Sequence, residues 1–328
     1  MVIVSISSLI RDQKLLFYRL ILEAFQKKKI ENYVLKAYAE PDCEAHQIIK
    51  DHARKWYGLT ESNNVKWSEA FMLTVFRAQL KLFGKGVDTD LGLSKIGFDD
   101  LVIKSTSTDA NSSRVFIMGF DDNLTIFQIY KEQAEKGTIA VDVGANIGIH
   151  SLVLSRCVGE KGRVYAYEPR ASMCARIKEN LETNYISNVF IRKVAVGDQN
   201  GKIPFNEHEK DFNIGLGSYD PTSDKYVDVV KLDEDLKEVE GKISLVKIDV
   251  EGYELQVIKG MRDLLIRHKP NLVLEYNPDK WDFEALRKEI PYTVKIYKIP
   301  TTFRDKSILI KKGYELKKST NILITPTR

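Results

Sequence analysis

The side chains of this sequence best placed to do chemistry are carboxylates that end apolar, strand-like runs. Asp249, Glu251 and Glu254 follow the apolar run that starts at Ile243, and Glu275 closes the run beginning at Asn271. A carboxylate held at such a point can take a proton in a transition state or offer oxygen to a divalent cation. Asp249, Glu275 and Asn277 could present oxygens to Mg²⁺, but three oxygens on separate strands are a common coincidence and no metal is assigned. Plainer roles compete. Asp249 can cap a helix that starts near Gly252, and Glu251 can be a first-turn acid favoured by the helix dipole. Strand ends are where α/β folds build their sites, which favours a functional Asp249 and keeps Glu275 a candidate.

A second group lies upstream. Thr138 to Val143 is a short, β-branched apolar run suited to a strand buried on both faces. Gly144 and Gly148 then bracket a turn, and Ile149 to Cys157 continues with helical spacing. Strand, glycine-bearing turn and helix make the first βα unit of a nucleotide-binding α/β fold. The dinucleotide fingerprint G-x-G-x-x-G is not met: counted from Gly144, its second glycine falls on Asn146 and its third on Ile149. A pyrophosphate has no cradle, and a nucleoside without phosphates is the better ligand. Arg163 to Tyr167 reads as the next strand, and Glu168 sits where such folds hold both ribose hydroxyls.

Together these features favour S-adenosylmethionine over NAD. The candidates to hold it are Asp142, Gly144, Ala145, Asn146, Gly148, Glu168, Pro169, Asp198 and Asp249. Asp142 ends a buried strand, where an unpaired carboxylate is costly, so it should bond turn amides or the amino group of the methionine moiety. His150 either starts the helix facing the adenosyl group or acts as a base. Asp198 lies near the adenine edge, or is a turn residue before Asn200 and Gly201.

These groups need elements to position them. The 328 residues can bury a large domain or two modest ones, and 43% hydrophobic with 29% charged residues suits a soluble globular chain. The net charge of +4 arises within residues 1–84, where 13 Lys and Arg face 9 Asp and Glu. That polarity is too mild for a nucleic-acid partner. Three cysteines, Cys43, Cys157 and Cys174, are an odd, scattered set without C-x-x-C and read as reduced thiols of a cytoplasmic protein, the latter two as core fillers. Met1 to Ile10 is apolar but too short for a span and lacks a basic start, so neither a membrane span nor a signal peptide is expected.

Apolar stripes at spacings of three and four predict helices through residues 8–84, and glycines 84, 86, 92 and 97 mark a connection. A mainly helical extension, 1–100, is therefore expected before a second domain, 101–328. Within the latter, Leu101 to Ser105 and Arg114 to Phe120 look like strands around a turn at Asp109 to Ser113. A helix over Asp122 to Glu135 precedes the opening strand. Helices over Ala171 to Asn184 and Val257 to Lys269, and strands over Val189 to Val196, Ile243 to Val250, Asn271 to Tyr276, Tyr292 to Ile299 and Asn321 to Thr325, complete an alternating α/β pattern. Lys202 to Glu207 and Tyr226 to Leu232 read as a side excursion of strands around a polar loop.

VDVGANIGIHS, YAYEP, the VGD near 197, LVKIDVEGYELQVIKG at 245–260, NLVLEYNP and NILITP, in this order, resemble the FkbM-type S-adenosylmethionine-dependent methyltransferases. The resemblance covers roughly residues 120–328. It implies a class I, Rossmann-like sheet of seven strands, the last antiparallel, with helices on both faces and the cofactor across the carboxyl ends of the first strands. It also implies O-methylation of a sugar or natural product, or N-methylation of a peptide side chain; the acceptor is thus a small molecule, a glycan or a peptide. In such a transfer an oxygen attacks in line with the departing sulfur, so alignment supplies much of the acceleration and a base assists an alcohol. Asp249 is the first candidate base, with Glu251, His150 and Glu275 as alternates. An NAD(P)-dependent oxidoreductase and a non-catalytic binding protein are the competing readings, and the helical extension could build a homodimer or shape the acceptor site.

Overall fold

The computed structural model describes residues 90–106, 109, 111–112, 115, 123–206, 218–281, 283–300, 307–310, 316 and 319–327. The expected helices of residues 8–84 and Cys43 lie outside the described residues. By contacts the chain divides into two units, 1–94 with 105–119 and 95–104 with 120–328.

In the first unit, Asn111, Ser112 and Val115 are helical, in place of the expected turn; of the expected strand over Arg114 to Phe120 only Val115 is among the described residues. Asp109 explains the change. Its carboxylate accepts the Ser112 amide at 2.6 Å, the bond of an N-cap, so the polar run that looks like a hairpin turn starts a helix instead. The chain passes from one unit to the other within the strands β1 (Asp90–Lys95) and β2 (Val102–Thr106).

The second unit holds an eight-stranded mixed sheet. Its centre is β3 (Ile139–Val143), all five residues buried, as its β-branched sequence requires. Chain order runs outward from there through α2 (Ile149–Val158), β4 (Arg163–Tyr167), α3 (Ala171–Thr183) and β5 (Val189–Arg192). It then returns to the other side of β3 with β10 (Ile243–Ile248), α5 (Glu254–Lys259), α6 (Arg262–His268) and β11 (Asn271–Tyr276). α1 (Leu124–Gln133) precedes β3, and the short α4 (Leu232–Asp235) precedes β10. After α7 (Phe283–Glu289) come β12 (Val294–Lys298), β13 (Ile308–Leu309) and β14 (Thr320–Pro326), giving the order β13-β12-β14-β11-β10-β3-β4-β5.

The strands from β5 to β11 are parallel, while β14 is antiparallel to both β11 and β12. The expected α/β class and antiparallel closing strand are present. The strand count is eight rather than seven, because β13 adds itself to the edge through Tyr297 and Lys298 of β12. The strand order reverses at β3, the point at which open α/β sheets place their ligand crevice. Ile139, Val141, Val246, Ile248, Leu264 and Leu272 are among the buried side chains of the core.

Two expected elements break. Val189 to Val196 splits after Arg192, and β6 (Ala195–Val196) joins a side sheet with β7 (Gly201–Asn206), β8 (Ser218–Tyr219) and β9 (Tyr226–Val230) in the order β6-β9-β7-β8. The expected helix from Val257 to Lys269 breaks at Gly260. A Cβ there would lie 1.8 Å from the Gly197 carbonyl oxygen, and the Gly260 carbonyl accepts the Asp233 amide. Helical periodicity continues across this point, but the backbone is held by two loops from elsewhere.

On α3, Asn184 accepts the Val102 amide at 2.9 Å and donates to the Val102 carbonyl at 2.7 Å. One turn earlier Asn180 accepts the Lys104 amide at 2.8 Å, and Arg176 donates to the Lys104 carbonyl. No helix among the described residues is long and apolar enough to cross a membrane.

Candidate active site

The sheet register brings the two sequence groups together. Asp142 of β3 stands opposite Lys247 of β10, in an otherwise apolar strand. Asp142 is fully buried, and Lys247 is only 3% exposed. The Lys247 ammonium lies 3.1 Å from Asp142 Oδ1, donates to the Gly144 carbonyl at 2.7 Å, and reaches Asp249 Oδ2 at 3.8 Å. Ser151 of α2 donates to Asp142 Oδ2 at 2.5 Å. Burial opposes the charge of Lys247, yet Asp142 and Asp249 more than offset it and hold the ammonium above its ordinary range. The partners of Asp142 in the structure are thus Ser151 and Lys247, and of the two expected partners, turn amides or the amino group of a methionine moiety, the turn amides are not among them.

The turn after β3 carries three left-handed residues, Gly144, Asn146 and Gly148, with φ of 78°, 53° and 89°. At Gly144 the need for glycine is packing: a Cβ would sit 1.9 Å from the Asp249 carbonyl oxygen. At Gly148 it would meet Ile177 of α3 at 3.2 Å. The amides of Gly144 and Ala145 both donate to the Tyr167 carbonyl, Gly148 donates to Ala145, and Asn146 donates to Glu168 Oε2 at 3.0 Å. A phosphate needs amides pointing free into the turn. These four are satisfied internally, so the turn fits a nucleoside whose anchors are hydroxyl and ammonium groups rather than a pyrophosphate.

Glu168, 2% exposed, directly follows β4. Its carboxylate also receives the backbone amide of Arg170 at 3.1 Å, and Arg170 Nε at 2.7 Å. Pro169 links these two residues. Asp198 lies beyond β6, close enough to Tyr253 to help burial raise that phenol above its ordinary range.

A cavity of about 190 Å³ opens beside the end of β10, lined by Ser218, Glu251, Gly252, Glu254, Glu275, Asn277 and Lys280. Ser218 comes from the side sheet, whose Tyr219 packs on Tyr253 with ring centroids 4.9 Å apart. Glu254 holds the wall: it accepts the Val250 and Gly252 amides at 3.3 and 3.0 Å and the Trp281 indole at 3.1 Å. Glu254, not Asp249, therefore organises the turn before α5. Glu251 takes a left-handed backbone, φ 55°, and its side chain stands at the exposed rim. Desolvation, then the charges of Asp249, Glu275 and Glu254, push its carboxyl up to about 7, against the pull of Lys280. Glu275 is likewise raised, by desolvation first, although Ser319 donates to it. Asp249 is partly exposed and bridges the two groups, bonded through its amide to the Val143 carbonyl.

His150 stands apart from this cavity's lining. Its Nδ1 is 2.8 Å from the Tyr130 hydroxyl, and the Phe127 ring meets it edge-on at 5.5 Å. Burial and the nearby Lys247 charge lower its pKa to about 4, so it is a neutral, weakly basic ring anchored to α1. Cys157 and Cys174 are pushed up to about 11 by burial, which suits packing rather than nucleophilic use. Among the described residues no group of three His, Cys, Asp or Glu could hold a metal ion.

Sequence reasoning missed Lys247, Ser151, Arg170 and Trp281. For Lys247 a signal was present: a lone lysine in a strand buried on both faces has to find carboxylates or carbonyls.

Over 141 residues the chain is 30% identical to the hexuronic acid methyltransferase AglP of Haloferax volcanii, an alignment covering 43% of this chain and 56% of that relative. It thus spans little more than half the relative's length. Over 169 residues it is 27% identical to Methyltransferase 1 of Beauveria bassiana, covering 45% of this chain and 68% of that protein. Among solved structures, Methyltransferase FkbM from Methylobacillus flagellatus KT aligns with a TM-score of 0.40 at 15% identity, covering 85% of this chain and 58% of that one. Residues 142–299 match the model of the methyltransferase FkbM domain, and over this stretch the chain is similar to that family.

Proposed function

We propose that the protein is an S-adenosylmethionine-dependent methyltransferase that methylates a hydroxyl of a neutral sugar or natural-product acceptor. The observation that carries the reading is the juxtaposition of a nucleoside-type turn and Glu168 with a carboxylate-lined cavity, Asp249 lying between them. Bound S-adenosylmethionine supplies an electrophilic methyl group. The protein's own residues do the rest. Glu168 accepts the ribose hydroxyls, and Asp142 and Lys247 fix the turn through the Gly144 carbonyl. Asp249 orients the acceptor hydroxyl and takes its proton, while Glu251 and Glu275 hold the remaining hydroxyls.

The name of the Haloferax volcanii relative supports a sugar acceptor. With Glu251, Glu254 and Glu275 facing one lysine in its lining, the cavity suits a neutral polyol better than an acid sugar. The same carboxylates would attract a peptide amine, and product analysis separates the two acceptors. We place the reaction in the cytoplasm, in keeping with the scattered cysteines. The test is calorimetric titration with S-adenosylhomocysteine, followed by transfer of labelled methyl to a panel of neutral, acidic and amino acceptors. Binding of NADH in place of S-adenosylhomocysteine would sink the proposal. Glu168→Ala should weaken S-adenosylhomocysteine binding by about 1.5–3 kcal/mol, the scale of hydrogen bonds to a charged group.

A further inference from the structure

Glu168 already has partners for all of its lone pairs. A carboxylate offers roughly four acceptor sites, and four N–H groups fill them. These are the amides of Asn146 at 3.0 Å and Arg170 at 3.1 Å, with Arg170 Nε at 2.7 Å and Nη2 at 3.3 Å. The carboxylate and guanidinium are buried together, Glu168 2% and Arg170 5% exposed. The two backbone donors are fixed, one by the left-handed Asn146 of the turn and the other by the start of α3, which Arg170 caps. Only the two side-chain donors can leave. A ribose diol brings two O–H donors of its own.

We propose that Arg170 is a gate on the nucleoside site: its guanidinium occupies the ribose-binding face of Glu168 and is exchanged, bond for bond, for the two hydroxyls of the incoming ligand. This rests on the function proposed above. The exchange selects for an intact diol, because a ligand lacking the hydroxyls offers no donors in return, leaves the guanidinium on Glu168 and gains nothing from the carboxylate. It also lowers nucleoside affinity, since a charged pair separates when the ligand binds. Until then the buried carboxylate stays neutralised.

Calorimetry on the wild type, Arg170→Met and Arg170→Lys tests this with three probes, S-adenosylhomocysteine, adenosine and 2′,3′-dideoxyadenosine. Arg170→Met should bind adenosine about tenfold more tightly than wild type, the size of one charge-assisted hydrogen bond no longer surrendered. Its affinity for the dideoxynucleoside should be unchanged, and Arg170→Lys, with a single movable ammonium, should fall between. Equal or weaker adenosine binding by Arg170→Met overturns the gate, as does an equal gain for the dideoxynucleoside. Should Arg170→Met lose its fold by circular dichroism, the same two comparisons made on Arg170→Lys decide. A wild type that binds neither S-adenosylhomocysteine nor adenosine overturns the proposed function and the gate together, whereas binding without a gain in the variants overturns the gate alone.

Discussion

Replacing Lys247 with methionine keeps most of the length of the side chain and deletes one charge from the middle of the sheet. Asp142, with no exposure, would keep Ser151 and lose the ammonium 3.1 Å away. Deleting one partner of a buried ion pair costs about 3–5 kcal/mol, because the other charge stays behind without compensation. The lost bond to the Gly144 carbonyl adds roughly 1 kcal/mol. Against a total stability on the order of 5–15 kcal/mol, Lys247→Met should move the urea midpoint far down. The double variant Lys247→Met with Asp142→Asn removes the stranded charge and keeps a side chain that Ser151 can bond. It should therefore be more stable than the single lysine variant. Urea unfolding of wild type, both single variants and the double variant closes the cycle. A Lys247→Met loss below about 1 kcal/mol, or a double variant less stable than Lys247→Met, would refute the view that the pair is held by mutual neutralisation.

Asp249→Asn should lower turnover by roughly 10²–10⁴ while leaving S-adenosylhomocysteine affinity nearly unchanged; if Glu251→Gln or Glu275→Gln abolishes turnover instead, the base lies there. Glu251 has a carboxyl raised to about 7 in the folded protein, so its contribution to stability is complete below the unfolded value near 4.5 and is lost as pH rises through 7. Thermal melts should accordingly show Glu251→Gln gaining on wild type between pH 5 and pH 8, and a constant difference across that window would count against the crowded carboxylates. Gly144→Ala should be far more damaging than Gly137→Ala: both have positive φ, 78° and 76°, but only at Gly144 would the Cβ strike a backbone carbonyl. Gly137→Ala should cost about 1–2 kcal/mol from the left-handed backbone alone, and equal costs at the two glycines would remove the packing argument.

The parallel core was legible because its strands are buried on both faces and read as unbroken apolar runs; β3, β4, β10 and β11 all fall where those runs do. The carboxylates at their ends were legible for the same reason. What stayed hidden depends on register and on contacts distant in sequence. Nothing near Lys247 in the chain says that Asp142 lies across from it, and nothing near Gly260 announces the Gly197 carbonyl that breaks the helix. Glu254 looked like one more carboxylate after an apolar run, and its grip on Trp281 appears only when α5 and the connection after β11 come together. Arg170 was two residues from a residue singled out at once, yet a spacing of two does not announce that its side chain turns back onto Glu168.

The side chains of α3 that meet β2 have a consequence for how the protein behaves among its own copies. The amides and carbonyls of Val102 and Lys104 point to one edge of that strand, and Asn184, Asn180 and Arg176 bond all four. A bare strand edge is a template for a neighbouring molecule's backbone. Here three side chains of a helix stand in for the missing strand and leave that template nothing to offer. Asn180 also donates to the Ile147 carbonyl at 2.8 Å, so the residue that blocks the edge holds the turn after β3 as well. On the function proposed above, colloidal behaviour and ligand binding meet at one buried asparagine, and a substitution of Asn180 should alter both.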